Sequence, residues 1–227
     1  MSEFRPLRFR RSSRSRLNEY DVHLFAGDTL FDRIARTVCG VGCLPRKELF
    51  EAWEVAKRVR RRFRGAPIVE LCAGHGLLAY MLLVLDDSTP TAECVDVVRP
   101  KSASQLAAAF EATWPRLQGR VRYSTSNIDD VSVAPGSVVV SVHACGDLSD
   151  RVIDRAIAAR AGLAIVPCCH SLGNNDTGNL LGWMDGALAI DATRAHKLSA
   201  LGYRVRTQTI PSDITPQNRL LLATPPA

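Results

Sequence analysis

The sequence predicts a doubly wound α/β domain whose seven-stranded sheet is parallel except at its last strand. Three observations predict it. From residue 67 onward, short apolar runs alternate with segments of helical period. Residues 137–142 are rich in Val with no polar alternation, as in a central strand covered on both faces. The last two strand-like segments, 203–210 and 218–223, are joined by a Pro-containing link too short for a helical crossover, so that pair is antiparallel.

The elements follow in order. Residues 1–16 read as a basic, solvated, flexible arm, and 17–64 as a helical N-terminal appendage. Residues 65–227 read as the α/β domain. Within the appendage, 17–45 is mixed, with a short helical pattern at 29–38 broken by Gly40 and Gly42. Pro45 then opens a strong helix. Leu49, Trp53, Ala56, Val59 and Phe63 form its apolar stripe, and Lys57, Arg58, Arg60, Arg61, Arg62 and Arg64 its other face. Gly65 and Pro67 end it. Strands are expected at 67–72, 91–98, 120–124, 137–142 and 162–167, and helices at 77–85, 101–114, 148–161 and 187–201.

Charge separates the two halves. The chain of 227 residues carries a formal net charge of +6, yet residues 1–16 and 46–64 each carry +5, which leaves the rest mildly acidic. A basic N-terminal portion suits an acidic partner such as RNA. The seven Cys include the adjacent Cys168 and Cys169 and show no secreted disulfide framework. No apolar run has the roughly 18 residues of a membrane span. The start lacks the apolar core of a secretory signal, and a transit peptide stays as an alternative. The chain reads as cytoplasmic and reduced.

The chemistry is expected in three loops. The first strand ends Ile68-Val69-Glu70-Leu71-Cys72 and runs into Ala73-Gly74-His75-Gly76. Glycines there let a ligand approach the backbone. Asp96, at the end of the second strand, is placed to accept ribose hydroxyls. Spacing alone fits two cofactors: Gly74-x-Gly76-x-x-Ala79 matches a dinucleotide loop, and Glu70-x-x-x-Gly74-x-Gly76 an S-adenosylmethionine (SAM) loop. The antiparallel last strand favours SAM, and no Tyr-x-x-x-Lys pair supports a short-chain dehydrogenase. Asn127 and Ile128, after the third strand, are candidates for the adenine, or else form a turn.

The fourth and fifth strands run into His143-Ala144-Cys145-Gly146-Asp147 and Pro167-Cys168-Cys169-His170. As neighbours in the sheet, they bring His143, Cys145, Asp147, Cys168, Cys169 and His170 toward one place. These residues suit an acceptor pocket with His143 or Asp147 as general base. A nucleophilic Cys or a zinc site are alternatives, but the paired Cys-x-x-Cys spacing of zinc sites is missing and no metal is assigned. Buried Cys with Asp147 as a helix cap is the bland reading. The Asn/Asp-Pro-Pro-Tyr/Phe segment of amino methyltransferases is absent.

Together, Glu70-Leu-Cys-Ala-Gly-His-Gly76, His143-Ala-Cys-Gly-Asp-Leu-Ser-Asp150 and Pro167-Cys-Cys-His170 resemble a known family. It is the class I, Rossmann-like SAM-dependent methyltransferase domain of methyltransferase-like 25 proteins and the glutathione S-transferase C-terminal domain-containing protein. The set is also similar to the catalytic domain of Trm13-type tRNA 2′-O-methyltransferases. Ile214-Thr-Pro-Gln-Asn-Arg219 looks like the stretch before the last strand of such domains. The resemblance covers residues 65–224 and implies a SAM fold with Glu70, Gly74, Gly76 and Asp96 on the cofactor; Ala73, Asn127, Ile128 and His143 are further candidates for it. The motif set together with the basic arm and helix gives the expectation of an RNA acceptor, tRNA or rRNA, held by Arg58, Arg61, Arg62, Arg64 and the arm. The Trm13-type zinc-finger segments are missing. A small-molecule or protein acceptor and a non-catalytic RNA- or nucleotide-binding module are the alternatives.

Overall fold

The computed structural model describes residues 9–226. One sheet holds seven strands: β1 Ile68–Leu71, β2 Ala92–Asp96, β3 Val121–Thr125, β4 Val138–Ser141, β5 Gly162–Ile165, β6 Arg204–Thr209 and β7 Arg219–Thr224. Their order is β3-β2-β1-β4-β5-β7-β6. β1 to β5 are mutually parallel, and β7 runs antiparallel to both β5 and β6. The expected fold class is the observed one. The chain moves outward from β1 to β3 and then returns to β4, so the switch point lies between β1 and β4.

Alternation along the central strands explains why they are apolar throughout. Val138 and Val140 of β4 join one hydrophobic layer, and Val139 joins the other. The first layer receives α1 (Leu30–Val41), α2 (Arg46–Arg62), α3 (Leu77–Leu85) and α4 (Lys101–Thr113). The second receives α5 (Leu148–Ala158) and α6 (Gly186–Ala200). Helix α3 is buried from Leu77 to Val84 because it is packed between the sheet and α2. Phe110 of α4 is fully buried against Tyr80 and Trp114.

The N-terminal third departs from the sequence reading in three ways. The arm was expected to be solvated, but residues 9–16 are docked; residues 1–8 lie outside the described residues. Phe9 meets the Phe25 and Phe50 rings edge-on, with Arg46 over its face. The Ser13 and Ser15 carbonyls accept from Lys47 and Arg46 backbone N–H groups, and Arg11 pairs with Asp213. The Phe9 ring anchors the segment, which its arginine count obscures.

Second, Gly40 sits inside α1. The helix ends at Gly42, which takes the left-handed conformation at φ 69°. Third, α2 is buried well beyond one stripe: Phe50, Glu51, Ala52, Glu54 and Val55 are also covered. The docked arm, α1, α3 and the β6 edge surround it. Arg58, expected on an RNA-facing surface, is drawn into this packing. It donates to the Glu54 carboxylate at 2.5 Å and to the Thr209 carbonyl at 3.1 Å. Residues 17–64 thus form part of the layer that covers the sheet.

Candidate active site

The turn after β1 is built for a ligand on one side and for packing on the other. Gly74 has φ 52°, and a Cβ there would meet nothing within 4 Å. Asp96 accepts from the Gly74 N–H at 2.8 Å and from the Val97 N–H at 2.8 Å, so it braces the loop it was expected to assist. Gly76 serves the other side. Its φ is 77°, and a Cβ would come within 2.9 Å of Cys94 Sγ. Its glycine is therefore demanded by contact with β2, whatever the ligand. Between them, His75 Nδ1 shares a hydrogen bond with Ser102 Oγ at 2.7 Å. Cys72 holds φ 56°, a strained value for a residue with a side chain.

Beside this turn lies a cavity of about 260 Å³. Its walls include Glu70, Ala73, Gly74 and His143, as expected. They also include Cys72 and His75, and Glu48 and Ala52 of α2, which sequence reasoning missed. Burial raises the Glu70 carboxyl to about 8, although it accepts from the Ala79 N–H at 2.9 Å. Burial and the neighbouring Glu51 also raise Glu48. Asn127 and Ile128 are not among the lining residues. Asn127 caps the short 3₁₀ turn Ile128–Asp130 and accepts from Arg151 at 2.8 Å, and Ile128 is buried in the α5 layer.

Behind this wall, Glu51 brings a carboxylate up to His143. It is 2% exposed, and Lys47 holds one oxygen at 2.6 Å. Its other oxygen has no hydrogen-bond partner and lies 3.8 Å from His143 Nε2. The His143 side chain is about half exposed, yet close packing dehydrates it and lowers its pKa below the ordinary value; Glu51 opposes that shift. The imidazole is accordingly neutral at physiological pH and able to take a proton.

The six residues expected to converge separate into four groups. Cys145, Cys168 and Cys169 do meet, with Cys145 and Cys168 Sγ 3.0 Å apart. His143 turns toward Glu51. His170 turns toward α6, where Asp191 holds its Nε2 at 2.9 Å. Asp147 stands exposed at the N-cap of α5 but makes no side-chain cap bond, so the capping reading fails. Its φ and ψ of −69° and −20° are already helical, which aims the carboxylate away from the free N–H groups.

Comparison with known proteins decides between the cofactor readings. Residues 48–175 match the model of a methyltransferase domain family. The chain belongs to that family. It is a SAM-dependent methyltransferase domain with the class I fold, and the dinucleotide alternative falls away. A curated Xenopus laevis protein, "Glutathione S-transferase C-terminal domain-containing protein", is 31% identical over 111 residues. That alignment takes in 49% of this chain and 17% of that protein. An O-methyltransferase family protein from Burkholderia thailandensis superposes with a TM-score of 0.53 at 18% identity, over 92% of this chain and 63% of that one. A Corynebacterium glutamicum protein gives 0.55 at 17% identity, over 92% and 95%. These structures share the fold.

The cavity suits SAM on its own evidence. SAM presents an ammonium and a sulfonium, and the walls supply two carboxyl groups, Glu48 and Glu70, with raised pKa values that a nearby cation would lower again. The open space at Gly74 leaves the backbone accessible to the cofactor. Glu70, Ala73, Gly74 and His143 would hold it, with Asp96 fixing the loop. Among the described residues no helix is long and apolar enough to cross a membrane.

Proposed function

We propose that this domain methylates RNA, with His143 as the base that takes the acceptor's proton and Glu51 as the group that positions it. The observation that carries the RNA reading is the placement of the arm. Arg14 and Arg16 are exposed on a segment pinned to the start of α2, the helix whose first turns line the cofactor cavity. Arg16 lies near enough to His75 to add to the lowering, caused first by burial, of that imidazole's pKa. These cations sit where a phosphate backbone crossing the site would pass. A second basic group, Arg62 with Arg204 and Arg206 of β6, lies further along α2; desolvation first, then the two neighbouring guanidinium groups, lower Arg62. Arg64 has Asp86 at 3.6 Å.

SAM supplies an electrophilic methyl group. The chain's residues then have three tasks. The turn at Ala73 and Gly74 with Glu70 binds and orients the cofactor. His143 removes the acceptor proton, and Glu51, fixed by Lys47, stabilises the imidazolium that results. The loops after β4 and β5 wall the acceptor side.

One feature favours a second reading, a compact acceptor. A groove of about 660 Å³ runs beside Pro167 between α6 and the β6–β7 pair, with Leu188, Gln208 and Arg219 among its walls. Tritiated SAM, presented with total RNA and with protein and small-molecule fractions from cells lacking the protein, separates these. Labelled RNA, with activity falling steeply as salt rises, supports the first. Unlabelled RNA beside a labelled extract, with little salt dependence, transfers the proposal to the groove. SAM binding without turnover on any fraction leaves a non-catalytic module.

A further inference from the structure

Cys145 and the pair Cys168 and Cys169 come from loops that follow β4 and β5. Those strands are paired up to Ser141 and Ile165. A hydrogen bond of 3.1 Å from the Gly146 N–H to the Cys169 carbonyl fastens the two loops to each other. The three Sγ atoms all lie within 4.8 Å of one another, with Cys145–Cys168 at 3.0 Å and Cys168–Cys169 at 3.8 Å. We propose that these three cysteines hold a thiophilic divalent cation of the zinc class, with its fourth coordination position open on the acceptor side.

The geometry matches such an ion. A tetrahedral centre with metal–sulfur bonds of about 2.3 Å sets its sulfurs roughly 3.8 Å apart, inside the spread observed. The donor set is sulfur alone, which selects a soft or borderline ion over calcium or magnesium. His170, the neighbouring nitrogen donor, is committed to Asp191. Three protein ligands with an open fourth position is the arrangement of reactive zinc sites; closed structural sites have four. Cys145 and Cys169 are exposed, which leaves the ion a way in.

Binding displaces the thiol protons to solvent and leaves thiolate–metal bonds, with no oxidant or reductant needed. An acceptor atom entering the open position would lose its proton more readily. The cysteine spacing that argues against zinc along the sequence does not apply, because adjacent strands bring the ligands together.

The proposal goes beyond the acceptor reading and stands whether or not RNA is the substrate. The test uses the full chain, reduced and stripped with a chelator, then titrated with zinc against a chromophoric chelator and with cobalt. One equivalent of zinc and cobalt–thiolate charge-transfer bands are expected. Cys145→Ser and Cys169→Ser should each weaken zinc by about a hundredfold or more, and Cys43→Ser should leave it unchanged. Zinc should also shield Cys145, Cys168 and Cys169 of the unaltered chain from alkylation, read by peptide mass. That measurement holds even if a variant fails to fold. Absence of both shielding and stoichiometric zinc overturns the proposal. So does a reduced chain that ignores zinc but forms a Cys145–Cys168 disulfide on mild oxidation, which would make the pair a redox couple.

Discussion

At the residue scale, the pairing of Glu51 with His143 carries the most chemistry. An imidazole with a lowered pKa is active as a base above that pKa, so methyl transfer should fail as pH falls through it. His143→Gln should cost about 10²–10⁴-fold in kcat. Glu51→Gln removes the carboxylate that opposes the shift, so the acid limb of the pH–rate profile should move to lower pH. An unmoved limb would sever the pair. Gly76→Ala tests a packing role: with φ 77° and Cys94 Sγ at 2.9 Å from the new Cβ, it should lose about 1–3 kcal/mol of stability in denaturant unfolding. Gly74 lacks that neighbour, so alanine there should weaken SAM binding more than folding. His143 was legible from its position after the fourth strand. Its partner was not, because Glu51 reads as an ordinary acid on a basic helix until α2 is packed against the cavity. The meeting of the three thiols was legible, because Cys145 and the pair Cys168 and Cys169 follow strands that the sequence already makes neighbours.

At the element scale, α5, α6 and β7 are tied by a buried ionic network. Arg194 is 3% exposed and reaches Asp150 at 2.7 Å and Asp191 at 3.2 Å; Arg219 reaches Asp191 at 2.6 Å. Asp191 also holds His170, so the network sets the position of the loop that bears Cys168 and Cys169. Arg194→Ala removes the buried cation of the network but leaves Asp150 with Asn175, and Asp191 with His170 and Arg219, so it should cost about 1–3 kcal/mol, measured by chemical denaturation. Removing Arg194 and Asp191 together should cost less than the two single losses added. The strands and helices of this half were legible because period and Pro/Gly punctuation are local signals. The network was not, because nothing local in the sequence pairs Asp150 of α5 with Asp191 and Arg194 of α6.

At the scale of the whole molecule, the N-terminal arginines divide by fate. Arg11 and Arg58 are held by Asp213 and Glu54, and Arg46 stacks on Phe9. Arg14, Arg16 and Arg61 remain exposed. If RNA is the acceptor, Arg14→Ala with Arg16→Ala should reduce the salt slope of RNA binding by about 2, with SAM affinity unchanged. A slope that stays put would move the RNA contact elsewhere. Net charge could not foresee this division, since a count does not tell which cations face a carboxylate in the fold. α2 also runs from the cofactor cavity to the start of β5. Its first turns wall the cofactor cavity, and its last buries Phe63 against Gly162, where a Cβ would come within 2.9 Å of the ring. A relative trimmed to begin at β1 would therefore inherit a cofactor turn with one side missing and a hollow under β5. Any lineage that lost α2 would have had to recruit another helix to the same two places, so the pairing of a large aromatic before β1 with a glycine opening β5 should be inherited or lost as a unit.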